Sequence, residues 1–156
     1  MTAPQPPSGC FDGKRHLFAV RVYFEDTDLS GMVYHANYLR WFERARSDML
    51  RHCGIDQRAA HDAGEGAYAV TELALRYRRP ARLDDVVMIV STVAEVSFAA
   101  CRLDQAAWLG DDLLCSASLR VAFVAPDGRP RRQPPGWLAA FRALLPAEET
   151  AIESEG

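Results

Sequence analysis

An acidic loop that leads into an amphipathic helix holds the residues best suited to chemistry. Asp28 lies in this loop, and His35 follows directly before a helix that is predicted to begin at about Ala36. A carboxylate can act on a carbonyl carbon as a nucleophile or can activate water as a general base. Unpaired backbone N–H groups at a helix start can stabilise the negative charge that forms on the carbonyl oxygen. The segment therefore indicates attack on a carbonyl group.

The sequence around this loop predicts the elements that position it. Residues 20–24 alternate apolar and polar side chains, which is typical of a half-buried strand. The helix after the loop has apolar side chains at helical spacing, and Gly54 is placed to end it. These apolar side chains are Tyr38, Phe42, Ala45, Met49 and Cys53.

Four further strands and a terminal helix are predicted after a short second helix at 55–63. The predicted strands cover residues 67–78, 86–96, 98–109 and 113–124, and the terminal helix covers 135–145. The short connections favour an α+β architecture, in which an antiparallel five-stranded sheet wraps around one long helix. A sheet of this kind has exposed edges, which favour dimer formation.

Length and composition limit the classes of protein. The 156 residues predict a flexible N-terminal arm (1–14), a single domain (15–145) and an acidic flexible tail (146–156). The net charge of −3 arises from four glutamates in the last nine residues, so the near-neutral body argues against nucleic-acid binding. No apolar run approaches the roughly 20 residues of a membrane span, and no signal peptide is recognised. With four cysteines that lack a C-x-x-C pattern, these features predict a cytoplasmic protein.

The string DTDLSGMVYHANY at 26–38 resembles the signature of the hotdog-fold acyl-CoA thioesterases related to 4-hydroxybenzoyl-CoA thioesterase. With Glu25 before it and FERAR at 42–46 after it, the segment is most similar to the Tol-Pal-associated branch of that family. The resemblance extends from about Leu17 to Phe141. It implies a hotdog fold, hydrolysis of acyl-CoA to a free acid and CoA, and a homodimer or a dimer-of-dimers tetramer. It implies no cofactor, since CoA is part of the substrate.

The resemblance also implies roles for individual residues. Asp28 would be the catalytic carboxylate, and the backbone N–H of His35 would polarise the thioester carbonyl. The His35 imidazole would orient water, stabilise the oxyanion or protonate the departing thiolate. Tyr34 and Asn37, which flank His35 and the helix start, would contact the substrate. Glu43 is a secondary catalytic candidate, because another branch of hotdog thioesterases uses a helix carboxylate.

Each of these residues also has a structural interpretation. Asp28 is suited to stabilise the turn at 29–31, and His35 to hydrogen-bond the loop. Glu43 is suited to an ion pair with Arg40 or Arg46, which is the simpler account of its position. The motif as a whole favours the catalytic interpretation for Asp28 and His35. The other histidines are predicted to lie at the surface: His16, His52 and His61.

Arginines are the predicted contacts for the phosphates of CoA, because a guanidinium binds phosphate with two parallel hydrogen bonds. The candidates are Arg76, Arg82 and Arg131. The benzoyl-CoA branch of the family has arginines near the turn that corresponds to 95–99, whereas this chain has Val96-Ser97-Phe98 there. This departure argues against a strict specificity for 4-hydroxybenzoyl-CoA.

Two other functions compete with the thioesterase. One is a non-catalytic hotdog binding module for acyl carrier protein or for an envelope-assembly partner. The pair Asp28 and His35 argues against this module, because a pure binder needs no carboxylate beside an acyl carbonyl. Acyl carrier protein also competes with CoA as the thiol carrier of the substrate. The other function needs a divalent-metal site built from Asp26, Asp28 and His35, but the sequence lacks a convincing ligand set, and no metal is predicted.

Overall fold

The computed structural model describes residues 1–147 of the chain. The helices and strands are, in chain order, β1 (Cys10–Asp12), β2 (Arg15–Arg21), α1 (Asn37–His52), α2 (Gln57–Asp62), β3 (Ala67–Tyr77), β4 (Val86–Val96), β5 (Ala100–Leu109), β6 (Asp112–Val124) and α3 (Pro135–Ala143). The strands form one antiparallel sheet in the order β1-β2-β4-β5-β6-β3. The predicted α+β hotdog architecture, with a sheet around one long helix, is confirmed.

Helix α1 forms because its apolar side chains recur on one face and are buried against the sheet. Trp41 and Phe42 pack with residues of β2 and β4, and Met49 packs with residues of β5 and β6. Burial of each large apolar side chain contributes about 1.5–3 kcal/mol. Gly54 follows the helix with φ of +76°, a backbone conformation that glycine adopts without a steric penalty. Packing of α1 on the sheet therefore holds the helix start at the end of the sheet where the acidic loop lies.

The start of the chain differs from the prediction in two ways. The sheet has six strands rather than five, because Cys10–Asp12, which fall in the predicted arm, pair with β2 as β1. The strand predicted at 20–24 is instead β2 at Arg15–Arg21, and a short 3₁₀ turn occupies Phe24–Asp26. The backbone N–H of Tyr23 donates to the Asp26 carboxylate at 2.8 Å, a local hydrogen bond that competes with continuation of the strand.

The prediction that His16 lies at the surface is wrong. His16 is fully buried, and its Nε2 lies 2.7 Å from Oδ2 of Asp48 on α1. It occupies an inward position of β2, where side chains alternate between buried and exposed. Its partner lies 32 residues further along the chain, so the sequence pattern gave no sign of the pair. His52 and His61 are exposed, as predicted.

The same carboxylate holds part of the predicted N-terminal arm. Asp48 accepts hydrogen bonds from the Gly9 N–H at 2.9 Å and from the Ser8 hydroxyl at 3.2 Å. A Cβ atom at Gly9 would lie 2.2 Å from the Leu17 carbonyl oxygen, so only glycine fits at this position. The arm is therefore docked at these residues. At the other end of the chain, the predicted acidic tail lies outside the described residues from Glu148 onward.

The buried His16 predicts a loss of stability in mild acid. Burial lowers the pKa of His16, although the hydrogen bond to Asp48 partly opposes that effect. The unfolded chain takes up a proton on this histidine near pH 6.5, whereas the folded protein resists it. We expect the free energy of unfolding to fall as the pH drops below about 6.5, measured by urea unfolding from pH 8 to pH 5. His16→Gln, which does not titrate, should reduce this slope, and His61→Gln should not. An unchanged slope in His16→Gln would contradict this account.

Candidate active site

Asp28 opens a tight turn that is exposed at the end of the sheet. The Gly31 N–H donates to the Asp28 carbonyl at 3.0 Å, and the Asp28 N–H donates to the Met32 carbonyl at 2.9 Å. Gly31 has φ of +80°, which closes the turn. Two isolated bridges, Thr27 with Val33 and Met32 with Arg82, connect the turn to its surroundings.

The Asp28 carboxylate stabilises the turn with one oxygen and leaves the other oxygen available for chemistry. Its Oδ1 accepts hydrogen bonds from the N–H of Ser30 at 2.8 Å and from the Ser30 hydroxyl. These two bonds hold the pKa of Asp28 below its usual value, with a smaller contribution from His35. Within residues 1–147, Oδ2 of Asp28 accepts no hydrogen bond. One oxygen thus fixes the turn, and the other is free on an ionised carboxylate.

Unpaired backbone donors lie at the start of α1. The Tyr34 N–H donates to the Asp26 carbonyl at 2.8 Å, and the Asn37 N–H donates to the Tyr34 carbonyl at 2.9 Å. The N–H groups of His35 and Ala36, between them, have no acceptor in the described part of the chain. Free N–H groups at a helix start favour a negative charge. The backbone N–H of His35, which is the predicted oxyanion donor, therefore has no acceptor among the described residues and is available to a substrate.

Asp26 connects the acidic loop to the helix start. Its carboxylate accepts from the Tyr23 N–H at 2.8 Å and from Nδ2 of Asn37 at 2.9 Å. The Asn37 side chain, which was predicted to contact the substrate, is buried and donates to this aspartate. Asn37 thus supports the loop, and a contact between Asn37 and the substrate stays a prediction.

Sequence reasoning missed Tyr77, the last residue of β3. Its hydroxyl donates to the His35 carbonyl at 2.5 Å, and its ring lies 6.2 Å from the His35 ring, centroid to centroid. The Tyr77 ring also packs against Tyr38 of α1 at 5.8 Å. Tyr34, another predicted substrate contact, is half exposed, and its ring lies 4.5 Å from that of His35. The sequence could not reveal Tyr77, because 42 residues separate it from His35.

The three arginines predicted to bind phosphate lie at separate places in the folded chain. Arg82 is exposed and pairs through its backbone with Met32, so it lies beside the Asp28 turn. Arg76 is exposed on β3 and lines a shallow cleft over β5 and β6.

Arg131 lies at the far end of β3 from the turn. Its guanidinium donates to the carbonyls of Gly64 and Glu65 at 3.1 and 2.6 Å, just before β3 begins. Tyr77 ends the same strand beside His35, about 33 Å away at the usual rise of a strand. Within one chain, Arg82 is therefore bridged to the Asp28 turn, whereas Arg131 lies far from it.

Glu43, the secondary catalytic candidate, forms an ion pair with Arg46 one helical turn later. Arg46 also donates to Oε1 of the buried Gln105 at 3.0 Å. Nε2 of Gln105 donates in turn to the Phe42 carbonyl at 3.0 Å and to the Ser91 hydroxyl at 2.9 Å. Glu43 is thus the exposed end of a network that fixes α1 on the sheet.

A metal site in the acidic loop finds no support in residues 1–147. Asp26 and Asp28 direct their carboxylates to different local partners. Neither belongs to a group of three or more side chains that could bind a metal ion within the described residues. In that part of the chain one cluster has suitable ligand atoms within 4.8 Å of one another: His16, Asp48 and His52. Asp48 already accepts from His16 and from the arm, so this cluster docks the arm. It lies near the C-terminal end of α1, away from the acidic loop.

The family model of the Thioesterase superfamily matches residues 30–116, more than half of the chain. This chain belongs to the Thioesterase superfamily. The matched segment includes the Asp28 turn from Ser30 onward, the free amides at the helix start and all of α1.

Individual relatives agree with this assignment. The acyl-CoA thioesterase YbgC of Haemophilus influenzae is 41% identical over 107 residues, which cover 69% of this chain and 79% of that protein. A probable thioesterase from Bartonella henselae has 35% identity and a TM-score of 0.74, covering 77% of this chain and 99% of that one. A 4-hydroxybenzoyl-CoA thioesterase solved with 4-hydroxybenzoyl-CoA has a TM-score of 0.74 over 81% of this chain and 98% of its own, and at 20% identity it shows the fold alone. The predicted family, the hotdog fold and thioester hydrolysis as the reaction class are confirmed.

Replacing Asp26 tests whether it holds the site together. Asp26→Ala leaves the Tyr23 N–H and the Asn37 side chain without their acceptor, so we expect the free energy of unfolding to fall by about 1–3 kcal/mol. The kcat for thioester hydrolysis should fall as well, because the turn and the helix start lose their fixed relative position. Chemical unfolding and steady-state kinetics measure the two effects. The matched control is Glu25→Ala, since Glu25 is exposed and makes no hydrogen bond within the described residues. Equal effects from both variants would refute this role.

Proposed function

We propose that this chain is an acyl-CoA thioesterase in which Asp28 and the helix start act on the thioester carbonyl. One observation carries the proposal: the free oxygen of the ionised Asp28 and the free N–H groups of His35 and Ala36 lie at one exposed loop–helix junction. A carboxylate and two amide donors are what addition to a carbonyl requires. The relatives named acyl-CoA thioesterase support the same substrate class.

The chemistry can follow two routes from the same geometry. Asp28 can take a proton from water as the water oxygen bonds to the carbonyl carbon, or it can attack that carbon itself and form an acyl anhydride that water then hydrolyses. In both routes the carbonyl oxygen becomes an oxyanion facing the free amides, and the C–S bond then breaks. The thiolate leaves and takes up a proton, and the His35 imidazole on the open side of the junction is suited to supply it.

The alternative is a binding module for acyl carrier protein or for an envelope-assembly partner. A module without turnover has no use for an ionised carboxylate oxygen beside unpaired amides, so the site favours the enzyme. Acyl carrier protein also competes with CoA as the thiol carrier, because both present the thioester on a pantetheine arm. Rates on matched acyl-CoA and acyl carrier protein substrates would rank the two carriers.

A homodimer formed through β3 is part of the proposal. Among residues 1–147, this strand of 11 residues pairs only with β6, which leaves its other edge open along its full length. Three apolar side chains on β3 are 45–48% exposed in the single chain: Val70, Leu73 and Tyr77. Long apolar edges are normally protected, and pairing with a second copy protects this one. Antiparallel pairing would also bring the start of the partner's β3, with the partner's Arg131, toward His35. Two such dimers would form the predicted tetramer.

We also place the protein in the cytoplasm. All four cysteines are free, which suits a reducing compartment. None of the helices within residues 1–147 is long and apolar enough to cross a membrane.

The central prediction is that Asp28 carries the reaction. Asp28→Asn keeps the shape of the side chain and removes its charge, so kcat should fall at least ~100-fold while substrate binding is largely kept. His35→Ala should lower kcat less, because its backbone donor survives. Steady-state hydrolysis of a good acyl-CoA measures both. In a single turnover in ¹⁸O-water, ¹⁸O in the Asp28 peptide would identify Asp28 as the nucleophile, because a general base never bonds to the water oxygen.

Glu43→Gln is the control for this assignment, since Glu43 is a carboxylate that is already engaged in an ion pair. We expect its kcat to stay close to that of the wild type. The opposite pattern, with Glu43→Gln inactive and Asp28→Asn active, would move the catalytic carboxylate onto the helix.

The β3 edge predicts the oligomeric state. Light scattering at micromolar concentration should give a dimer or a dimer-based tetramer. Leu73→Asp places a charge on the pairing strand and should shift the protein toward monomer, with loss of activity. Leu83→Asp, at a residue that is 49% exposed outside β3, should leave the assembly intact. A wild-type monomer of 17.3 kDa would exclude this interface.

A further inference from the structure

A groove of about 980 Å³ lies between the exposed side of α1 and strand β2. The helix contributes Arg40, Arg44 and Arg51 to its wall, the sheet contributes Arg21, and the arm residues Pro6 and Pro7 border it. Its volume lies at the upper end of the range for small-molecule sites. None of the arginines predicted from the sequence to bind phosphate lines this groove.

The helix arginines of the groove have no partners in the part of the chain that the structure describes. Arg40, Arg44 and Arg51 make no salt bridge and no side-chain hydrogen bond within residues 1–147. Their spacing of four and seven residues places them on one face of α1. Arg40 and Arg44 are like charges one turn apart, an arrangement that destabilises an isolated helix. An anion bound between them would remove this repulsion.

The acidic residues of the groove wall do not neutralise these arginines. Glu43 is paired with Arg46, and Asp48 accepts from His16 and from the docked arm. The remaining arginine, Arg21, makes a single weak contact to a backbone carbonyl at 3.4 Å. The groove therefore has an excess of positive charge along its length.

The N-terminal arm forms one side of the groove and is held in place by hydrogen bonds to Asp48. Gly9 sits so close to Asp48 that a Cβ atom would lie 2.8 Å from Oδ2, and Ser8 donates to the same carboxylate. These contacts fix the chain directly after Pro6 and Pro7. The groove thus has a defined border at the end of α1 that lies farther from the active site.

The near end of the groove lies next to the active site. Tyr23 and Leu39 belong to its lining, and the Leu39 N–H donates to the Ala36 carbonyl at 3.2 Å. This end is therefore about one helical turn from the free amides of His35 and Ala36. A ligand with its thioester at Asp28 can extend into the groove and place more distant groups beside the arginines.

We propose that this groove binds the phosphates of the CoA carrier, with Arg40, Arg44 and Arg51 as the phosphate contacts. The proposal rests on the proposed function, because it assumes that the thioester is presented at Asp28. Arginine is suited to this task by its fixed fork of donors. The apolar part of the lining, including Phe18 and Val86, fits the pantetheine arm that joins the thioester to the phosphates.

Calorimetric binding of free CoA tests the groove without relying on catalysis. We expect Arg44→Ala and Arg51→Ala each to weaken CoA about 10-fold, the effect of losing one charge-assisted hydrogen bond of roughly 1.4 kcal/mol. The ratio of kcat/KM for an acyl-CoA to that for the matching acyl-pantetheine should fall by a similar factor. The control is Arg58→Ala, which removes another exposed arginine, on α2 outside the groove, that has no side-chain partner within residues 1–147.

The outcomes separate this proposal from the proposed function. Unchanged CoA affinity in Arg44→Ala and Arg51→Ala, with acyl-CoA hydrolysis intact, would overturn the groove and leave the thioesterase standing. Loss of activity on acyl carrier protein alone, with CoA affinity unchanged, would overturn it as well and assign the arginines to an acidic protein. Absence of any thioester hydrolysis by the wild type would refute the function, while the calorimetry would still decide whether CoA binds in the groove.

Discussion

The candidate active site depends on one aspartate that links the acidic loop to the helix start. Asp26 accepts hydrogen bonds on both sides, from the Tyr23 backbone before the loop and from the Asn37 side chain in the helix. Its own carbonyl accepts from Tyr34. The Asp28 turn lies between these points and is therefore held against the helix start. Together with the backbone bridges of Thr27 to Val33 and of Met32 to Arg82, this link keeps the Asp28 carboxylate near the free amides.

Three aspartates close together in the sequence have three different environments, and their roles follow from those environments. Asp26 is engaged by the loop and the helix, and Asp48 by His16 and the arm. Burial opposes the ionisation of Asp48, yet the hydrogen bonds from His16 and Gly9 keep its pKa below the usual value. Asp28 alone is exposed with one oxygen unoccupied. The residue with the fewest partners is thus the one available to a substrate.

Two larger surfaces of the protein also carry polar groups that the described chain leaves unpaired. Within the described residues 1–147, the edge of β3 has backbone groups without partners, and the groove along α1 has arginines without counter-charges. In a protein where most polar groups find partners, such unpaired groups mark the surfaces where another molecule is expected. The first suits a second copy of the chain, and the second suits an anionic ligand. Both lie close to the junction that carries Asp28.

The sequence by itself determined the order of elements from α1 onward, the buried face of α1 and the family, because periodicity and a contiguous motif are local properties of the chain. It also singled out Asp28 and His35, which lie within one such motif. Only the tertiary structure decided the contacts that join distant segments: His16 with Asp48, Tyr77 with His35, and the arm at Gly9. Such contacts depend on which strands become neighbours in the sheet, and no local pattern encodes that. Free and occupied groups are likewise distinguished only in the folded chain, because a hydrogen bond or an ion pair exists only once both partners are placed.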